Sequence, residues 1–226
     1  MRDVINHIVF GWYPYLCLTV FLLGSLLRFD REQYTWKTGS SQLLRRRQLM
    51  WGSNLFHVGI LVIFFGHLVG LLTPIWVGGI AGIFCLIGIA LLTHRRLFDA
   101  RIRVTSSFGD IAVLLILFAQ LLLGLATIPV SMGHLDGHEM VKFMNWAQGI
   151  LLLRSDVWML VADAHPIFKA HLVLGMTIFL VFPFTRLVHV WSAPIWYLGR
   201  RGYQVVRSSG RPVAGPTSHR KIQAAE

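Results

Sequence analysis

Long apolar runs separated by short polar and basic segments form the dominant pattern of this chain. A helix that crosses the hydrocarbon core of a bilayer needs about 20 largely apolar residues. The chain contains five runs that reach or approach this length, and the third is the shortest. They predict an all-α integral membrane protein whose spanning helices lie at about residues 8–27, 51–72, 76–92, 109–131 and 167–190.

The composition agrees with lipid-solvated helices, since 55% of the 226 residues are hydrophobic and only 14% are charged. The first apolar run continues into Arg28 without a small-residue cleavage site, so it is predicted to be a retained span rather than a cleaved signal. Cys17 and Cys85 lie inside apolar runs, which is typical of small buried hydrophobic residues.

Basic residues account for the formal net charge of +11, and they lie beside the spans. The positive-inside rule places the more basic side of a membrane protein in the cytoplasm. We therefore predict an external N-terminus and a cytoplasmic C-terminus, and no nucleic-acid partner. Of the 21 Lys and Arg residues, the only ones on the predicted outer side are Arg2, Lys142, Arg154 and Lys169.

Two segments outside the spans have distinct patterns. Within the long external connection 132–166, the sequence MVKFMNWAQGILLL predicts an interfacial helix, with a packed loop as the alternative. The tail from residue 199 is basic and rich in Gly, Ser and Pro, so we expect it to be disordered on its own. We expect it to serve as a topology signal, with docking on a cytoplasmic partner or on acidic lipid as the alternatives. The chain thus divides into a membrane domain, 1–198, and a tail, 199–226.

Four histidines lie inside apolar spans, where a titratable side chain costs a few kcal/mol and is by default a functional hypothesis. His171 and His189 in the fifth span are five helical turns apart, on one face and separated by about 27 Å. His57 and His67 in the second span are about 15 Å apart along the axis. Because these spans run in opposite directions, His57 faces His189 at the inner end and His67 faces His171 at the outer end. The unequal spacing must be absorbed by tilting, or by a kink at Pro183.

Two imidazoles on opposite sides of a porphyrin iron fill both axial positions and suit one-electron transfer. The four histidines therefore predict two b-type haems between the second and fifth spans. Hydrogen-bonded core histidines are one alternative, and a histidine-lined transporter is another, although Asp110 lies only at the mouth of the fourth span. Small residues near the histidines would allow close approach of the macrocycle or of another backbone: Gly59, Gly66, Gly70 and Gly175.

Four long segments form one collinear pattern along the chain: YPYLCLTVFLLGSLLRFDREQYTWKTGSSQLL, SNLFHVGILVIFFGHLVGLLTP, RRLFDARIRVTSS and HLVLGMTIFLVFPFTRLVHVWSAP. This pattern, which covers the chain to about residue 207, resembles the gamma subunit of respiratory nitrate reductase. That subunit is a di-haem cytochrome b of the bacterial cytoplasmic membrane. The resemblance implies that His57 and His189 bind the haem near the cytoplasm, and that His67 and His171 bind the outer one.

The resemblance further implies a quinol-oxidising subunit of a quinol:nitrate oxidoreductase complex in anaerobic nitrate respiration. Quinol is expected to react beside the outer haem, near Gly66, His67 and Gly70, with protons released outside. Electrons then pass inward to an iron–sulfur beta subunit and a molybdenum alpha subunit. The chain has no cysteine set for iron–sulfur clusters and no visible motif for a molybdenum cofactor, so nitrate is expected to be reduced elsewhere.

One segment departs from the family. Its members have a longer connection between helices two and three, often with a lysine thought to help hold the quinol, whereas here TPIW leads almost directly into GGIAGIFCLIGIALL. That lysine has no counterpart, so either helix three starts differently or the affinity for the donor is altered. Other b-type subunits remain alternatives, serving a hydrogenase, a formate dehydrogenase or a heterodisulfide reductase, as does a membrane anchor without redox activity.

Overall fold

The computed structural model of the chain describes residues 1–32, 34, 36, 44–68, 75–133 and 138–191. These residues belong to one compact unit, Met1–Ser192. Their regular structure is helical, with no strand among the residues described. The predicted tail, the predicted boundary at 198/199, Gly70 and the connection at 69–74 lie outside the described residues.

The described helices include five that are long and apolar enough to cross a membrane, which confirms the five predicted spans. These five stretches are Arg2–Arg31, Arg46–Leu68, Val77–Phe98, Phe108–Met132 and Pro166–Phe184. In chain order the helices are α1 (Arg2–His7), a π-helical turn (Ile8–Trp12), α2 (Tyr13–Arg31), α3 (Arg46–Leu68), α4 (Ile75–Phe98), α5 (Ala100–Val104), α6 (Phe108–Met132), α7 (His138–Leu151), α8 (Met159–Ala162), α9 (Pro166–Val181) and the 3₁₀ turns Phe182–Phe184 and Arg186–Val190.

The segment predicted as an interfacial helix or a packed loop is the helix α7. Its Trp146 is buried and packs with Phe10 of the π-helical turn and with Val161. The indole Nε1 of Trp146 donates a hydrogen bond of 3.0 Å to the carbonyl oxygen of Phe10. This bond joins α7 to the start of the first span, where the π-helical turn departs from the regular α-helical bonding pattern.

The spanning helices pack in the order α2, α9, α6, α4 and α3. The helices α3 and α4 pack closely against each other, and glycines at their contact allow this. A Cβ atom added to Gly59 would lie 2.8 Å from the carbonyl oxygen of Ala81, and one added to Gly88 would lie 2.4 Å from the backbone nitrogen of Phe56. Small residues of this kind let the backbones of membrane helices approach closely.

The fifth span, predicted at about 167–190 with a candidate kink at Pro183, is not one regular helix, because the α-helix ends at Val181. Pro183 lies in a 3₁₀ turn, and Thr185 is extended before a second 3₁₀ turn begins at Arg186. Proline has no N–H and its ring clashes with the preceding turn, which ends the α-helix. The guanidinium of Arg28 in α2 donates to the carbonyl oxygens of Pro183 and Thr185.

A cap and an ion pair join the start of α3 to the turn after α4. Asp99 accepts hydrogen bonds from the backbone N–H groups of Arg101 and Ile102 at the start of α5. Arg45 lies 2.8 Å from the Asp99 carboxylate. The N–H of Ile102, followed by Arg45, holds the pKa of Asp99 below its ordinary value.

Asp110 at the start of α6 lies between two arginines at the predicted cytoplasmic end. Its carboxylate is 3.4 Å from Arg96 and 3.3 Å from Arg186, and all three side chains are largely buried. Asp110 also accepts a hydrogen bond from the backbone N–H of Ser107. The carboxylate therefore ties α4 and α6 to the second 3₁₀ turn of the fifth span.

Asp110→Asn is expected to destabilise the protein by about 3–5 kcal/mol, because it removes one partner of a buried ionic network. The asparagine keeps an oxygen that can accept a hydrogen bond from the N–H of Ser107. The loss of stability therefore measures the effect of removing the charge rather than the effect of removing the cap of α6. Unfolding in detergent micelles measures the change. Asp30→Asn is the control, since Asp30 and Arg31 form a pair whose side chains are 79% and 78% exposed and whose loss should cost about 0–1 kcal/mol. Equal effects of the two variants would contradict the network.

Candidate functional site

The four histidines predicted as haem ligands form two pairs in the structure. The ring centroids of His57 and His189 are 6.4 Å apart, with an angle of 69° between the ring planes. Those of His67 and His171 are also 6.4 Å apart, with an angle of 37°. The structure therefore brings together the same partners that helix direction predicted.

The break in the fifth span explains how two pairs form despite the unequal spacing of the histidines. His171 lies in α9, whereas His189 lies in the 3₁₀ turn Arg186–Val190, after the extended residue Thr185. A regular helix would hold these two histidines at a fixed spacing and on a fixed face. The irregular segment around Pro183 removes that constraint, at the position where the sequence predicted a kink.

Three of the histidines are held by backbone carbonyls of their own helical turn. The Nδ1 atom of His57 lies 2.7 Å from the oxygen of Ser53, that of His67 lies 2.8 Å from the oxygen of Ile63, and that of His189 lies 2.6 Å from the oxygen of Arg186. A carbonyl oxygen only accepts, so each Nδ1 carries the proton and donates it. The lone pair of each ring is then on Nε2, which is the arrangement common to metal-binding histidines.

The spacing of the rings fits a metal ion held between two imidazoles. A metal–imidazole nitrogen bond of about 2.0–2.1 Å, with the ring centre about 1.1 Å behind the nitrogen, separates two opposed ring centres by about 6.3 Å. The described residues contain no group of three or more His, Cys, Asp or Glu side chains that could hold a metal ion. Each pair offers two nitrogens, and a porphyrin supplies its own four donors, so the donor set fits a haem with both axial positions filled.

His171 differs from the other three histidines. Its Nδ1 is buried without a hydrogen-bond partner. Its neighbour is Gln120 of α6, whose Nε2 donates to the carbonyl oxygen of His171 over 3.1 Å and lies 3.4 Å from the ring Nε2. The sequence reasoning missed Gln120, although an isolated amide in an apolar span is a visible signal.

The glycines predicted to lie near the haems have different surroundings. Gly59 lies at the crossing of α3 and α4, against the backbone of Ala81 and Cys85. Gly175 lies instead against a side chain, because a Cβ atom added there would be 3.2 Å from Nε2 of Gln120. Gly66 precedes His67 in α3, and Gly70 lies outside the described residues. The predicted quinol residues are therefore only partly described.

Comparison with known proteins identifies one family. A sequence model described as Nitrate reductase gamma subunit matches residues 6–77 and 75–209. Respiratory nitrate reductase 2 gamma chain of Escherichia coli (strain K12) is 51% identical over an alignment of 225 positions, which covers 92% of this chain and 99% of that protein. Respiratory nitrate reductase 1 gamma chain of the same organism is 47% identical, covering 90% and 98%. Nitrate reductase gamma chain of Bacillus subtilis (strain 168) is 38% identical, covering 89% and 98%.

The matches also bear on the short connection between helices two and three. The two matched segments of the family model meet at residues 75–77. The alignment with the first relative has 225 positions but covers only 92% of a chain of 226 residues. That relative therefore has residues inside the aligned region that this chain lacks, in agreement with the short connection seen in the sequence.

Proposed function

The chain belongs to the nitrate reductase gamma subunit family and is a multi-pass protein of the inner membrane, and on this premise we propose that it is a di-haem cytochrome b that oxidises quinol. In this proposal, electrons from quinol cross the bilayer through the chain. They then enter an iron–sulfur subunit and a molybdenum catalytic subunit of a cytoplasmic nitrate reductase.

The proposal is carried by the two histidine pairs, in each of which the imidazole ring centroids are 6.4 Å apart. Haem bound between each pair would supply reversible one-electron chemistry with no open axial position. The carbonyls of Ser53, Ile63 and Arg186 orient three of the rings by accepting from Nδ1. The single helix α3 carries one ligand of each pair, so it sets a separation of about 15 Å between the two positions along the axis of α3.

The sidedness of the proposal rests on charge. The basic residues beside the spans favour a cytoplasmic position for the end that holds His57 and His189. In that orientation His67 and His171 lie toward the outer face. The basic inner end, with Arg45 among its residues, is suited to docking of the partner subunits, and the tail from residue 199 is a second candidate for this contact.

We place quinol oxidation beside His67, with Gly66 and Gly70 as the residues that leave room for the donor. Each quinol becomes a quinone by giving up two electrons and two protons. The electrons move inward one at a time, and the protons leave on the outer side, which adds to the transmembrane potential. Because the lysine expected between helices two and three has no counterpart in the sequence, we expect the affinity for quinol to differ from that of family members that have it.

Haem content tests the proposal directly. The chain purified with its partner subunits is expected to contain about two haems per chain, as measured from reduced-minus-oxidised spectra and protein mass. Adding a quinol should reduce both haems, and adding nitrate should reoxidise them. A pure, folded chain without haem would exclude the proposal and favour a histidine-lined transporter or a plain anchor. Co-purification with hydrogenase or formate dehydrogenase subunits would assign a different complex.

A further inference from the structure

The histidine pairs differ in how their rings are held, and Gln120 contacts the pair formed by His67 and His171. His57, His67 and His189 donate to carbonyls of their own helical turns. His171 has no such bond at Nδ1, and its polar contact comes from another helix through Gln120. The outer pair therefore depends on a side chain of α6 that has no equivalent at the inner pair among the described contacts.

The contact between α6 and α9 is reciprocal. Gln120 lies over Gly175 of α9, where an added Cβ atom would be 3.2 Å from its Nε2. His171 lies over Gly124 of α6, where an added Cβ atom would be 3.0 Å from its Cε1. Each polar side chain thus occupies the space left by a glycine one turn from the other. This packing restricts both side chains, and the bond from Gln120 to the carbonyl oxygen of His171 holds the backbone that carries the ligand ring. Because Gln120 donates to that carbonyl, the lone pair of the ring Nε2 stays available to a metal.

The orientation of the Gln120 amide follows from its partner. The carbonyl oxygen of His171 can only accept, so the NH₂ group of Gln120 faces it and the amide oxygen points away. The same NH₂ group lies 3.4 Å from Nε2 of His171. The positive end of the amide dipole is therefore the end directed at the ligand ring.

We propose that Gln120 is the positioning residue of the outer haem, fixing His171 and raising the reduction potential at that position. This inference rests on the proposed function, because it needs a haem between His67 and His171. A positive potential near the iron favours the reduced state, which carries one positive charge fewer. Replacing the amide by an apolar side chain removes that contribution and should lower the midpoint potential of the outer haem only.

The test is a redox titration of the complete complex carrying Gln120→Leu or Gln120→Met, followed by optical spectra of both haems. The spectrum of a His67→Ala complex identifies the outer haem by its absence, and the inner haem serves as an internal reference. Thr127→Val is the matched control, because it removes a polar group from the same helix that bonds only to the carbonyl of Gly124. We expect a lower outer midpoint in both Gln120 variants and an unchanged midpoint in the control.

Selective loss of the outer haem from both Gln120 variants, with the inner haem retained, would also support a positioning role. An unchanged or raised outer midpoint would overturn the inference, and so would equal shifts or equal losses at both haems. A wild-type complex that lacks two haems would refute the proposed function instead, so the two failures are distinguishable.

Discussion

Gly88→Val is expected to remove both haem signals from the membrane fraction. A Cβ atom at residue 88 would lie 2.4 Å from the nitrogen and 2.8 Å from the Cα atom of Phe56, and 2.8 Å from the carbonyl oxygen of Gly52. These are backbone atoms of α3, so no rotamer change can relieve the collision and the two helices must separate. Because α3 carries both His57 and His67, we expect both histidine pairs to be lost together. Overpacking typically costs about 1–3 kcal/mol, and a collision with backbone atoms belongs to the upper end of that range.

Gly78→Val is the matched control, because it makes the same exchange in the same helix. A Cβ atom at residue 78 meets nothing within 4 Å, and the intrinsic helix propensity changes by the same amount in both variants. Haem absorbance in membranes, divided by the amount of chain from an immunoblot, measures the effect. The control should keep both haems. Retention of both haems by Gly88→Val would show that the α3–α4 crossing does not position the ligands.

The spans could be predicted from sequence because the bilayer imposes a minimum apolar length. Their helices extend beyond the apolar runs, as in α4, which continues through Arg95 and Arg96 to Phe98. The hydropathy pattern does not record this extension, because the two arginines lower the local hydropathy although their side chains are buried in the protein. Arg95 donates to the carbonyl oxygen of Leu44 and Arg96 pairs with Asp110. The partner of each glycine also could not be predicted, since glycine spacing does not specify which helix crosses there.

The fifth span shows where sequence reasoning reached its limit. Pro183 indicated a kink, yet the sequence alone could not reveal that the chain becomes extended at Thr185 and then forms a second 3₁₀ turn. That path depends on Arg28 of α2, which binds the carbonyls of Pro183 and Thr185. A tertiary hydrogen bond of this kind has no local signature in the sequence.

The pairing of the histidines was accessible from sequence because two antiparallel helices can meet in only one order. The role of Gln120 was not, because it requires the packing of α6 against α9 with Gly124 and Gly175 at the contact. The quinol site stays a prediction, since Gly70 and the connection at 69–74 lie outside the residues that the structure describes.

Substitutions at the four histidines should separate into two groups by the haem that each one removes. His57→Ala and His189→Ala are expected to abolish the same spectral component, and His67→Ala and His171→Ala the other. The reason is that, in the proposed arrangement, each pair offers the two axial nitrogens of one haem, so loss of either ring would leave a single imidazole for that iron. Optical and electron paramagnetic resonance spectra of membranes measure the result, with complete loss of one component expected in each variant.

His94→Ala is the control for these variants, since His94 contacts Gln48 and Phe98 at the C-terminal end of α4 rather than either histidine pair. It should keep both components at wild-type amounts. Loss of different components within one pair would refute the pairing, whatever the haem content of the wild type. Loss of both components from His57→Ala or His67→Ala alone would have another meaning, because these two residues share α3. It would indicate that the helix, rather than each pair, is the unit that assembles around haem.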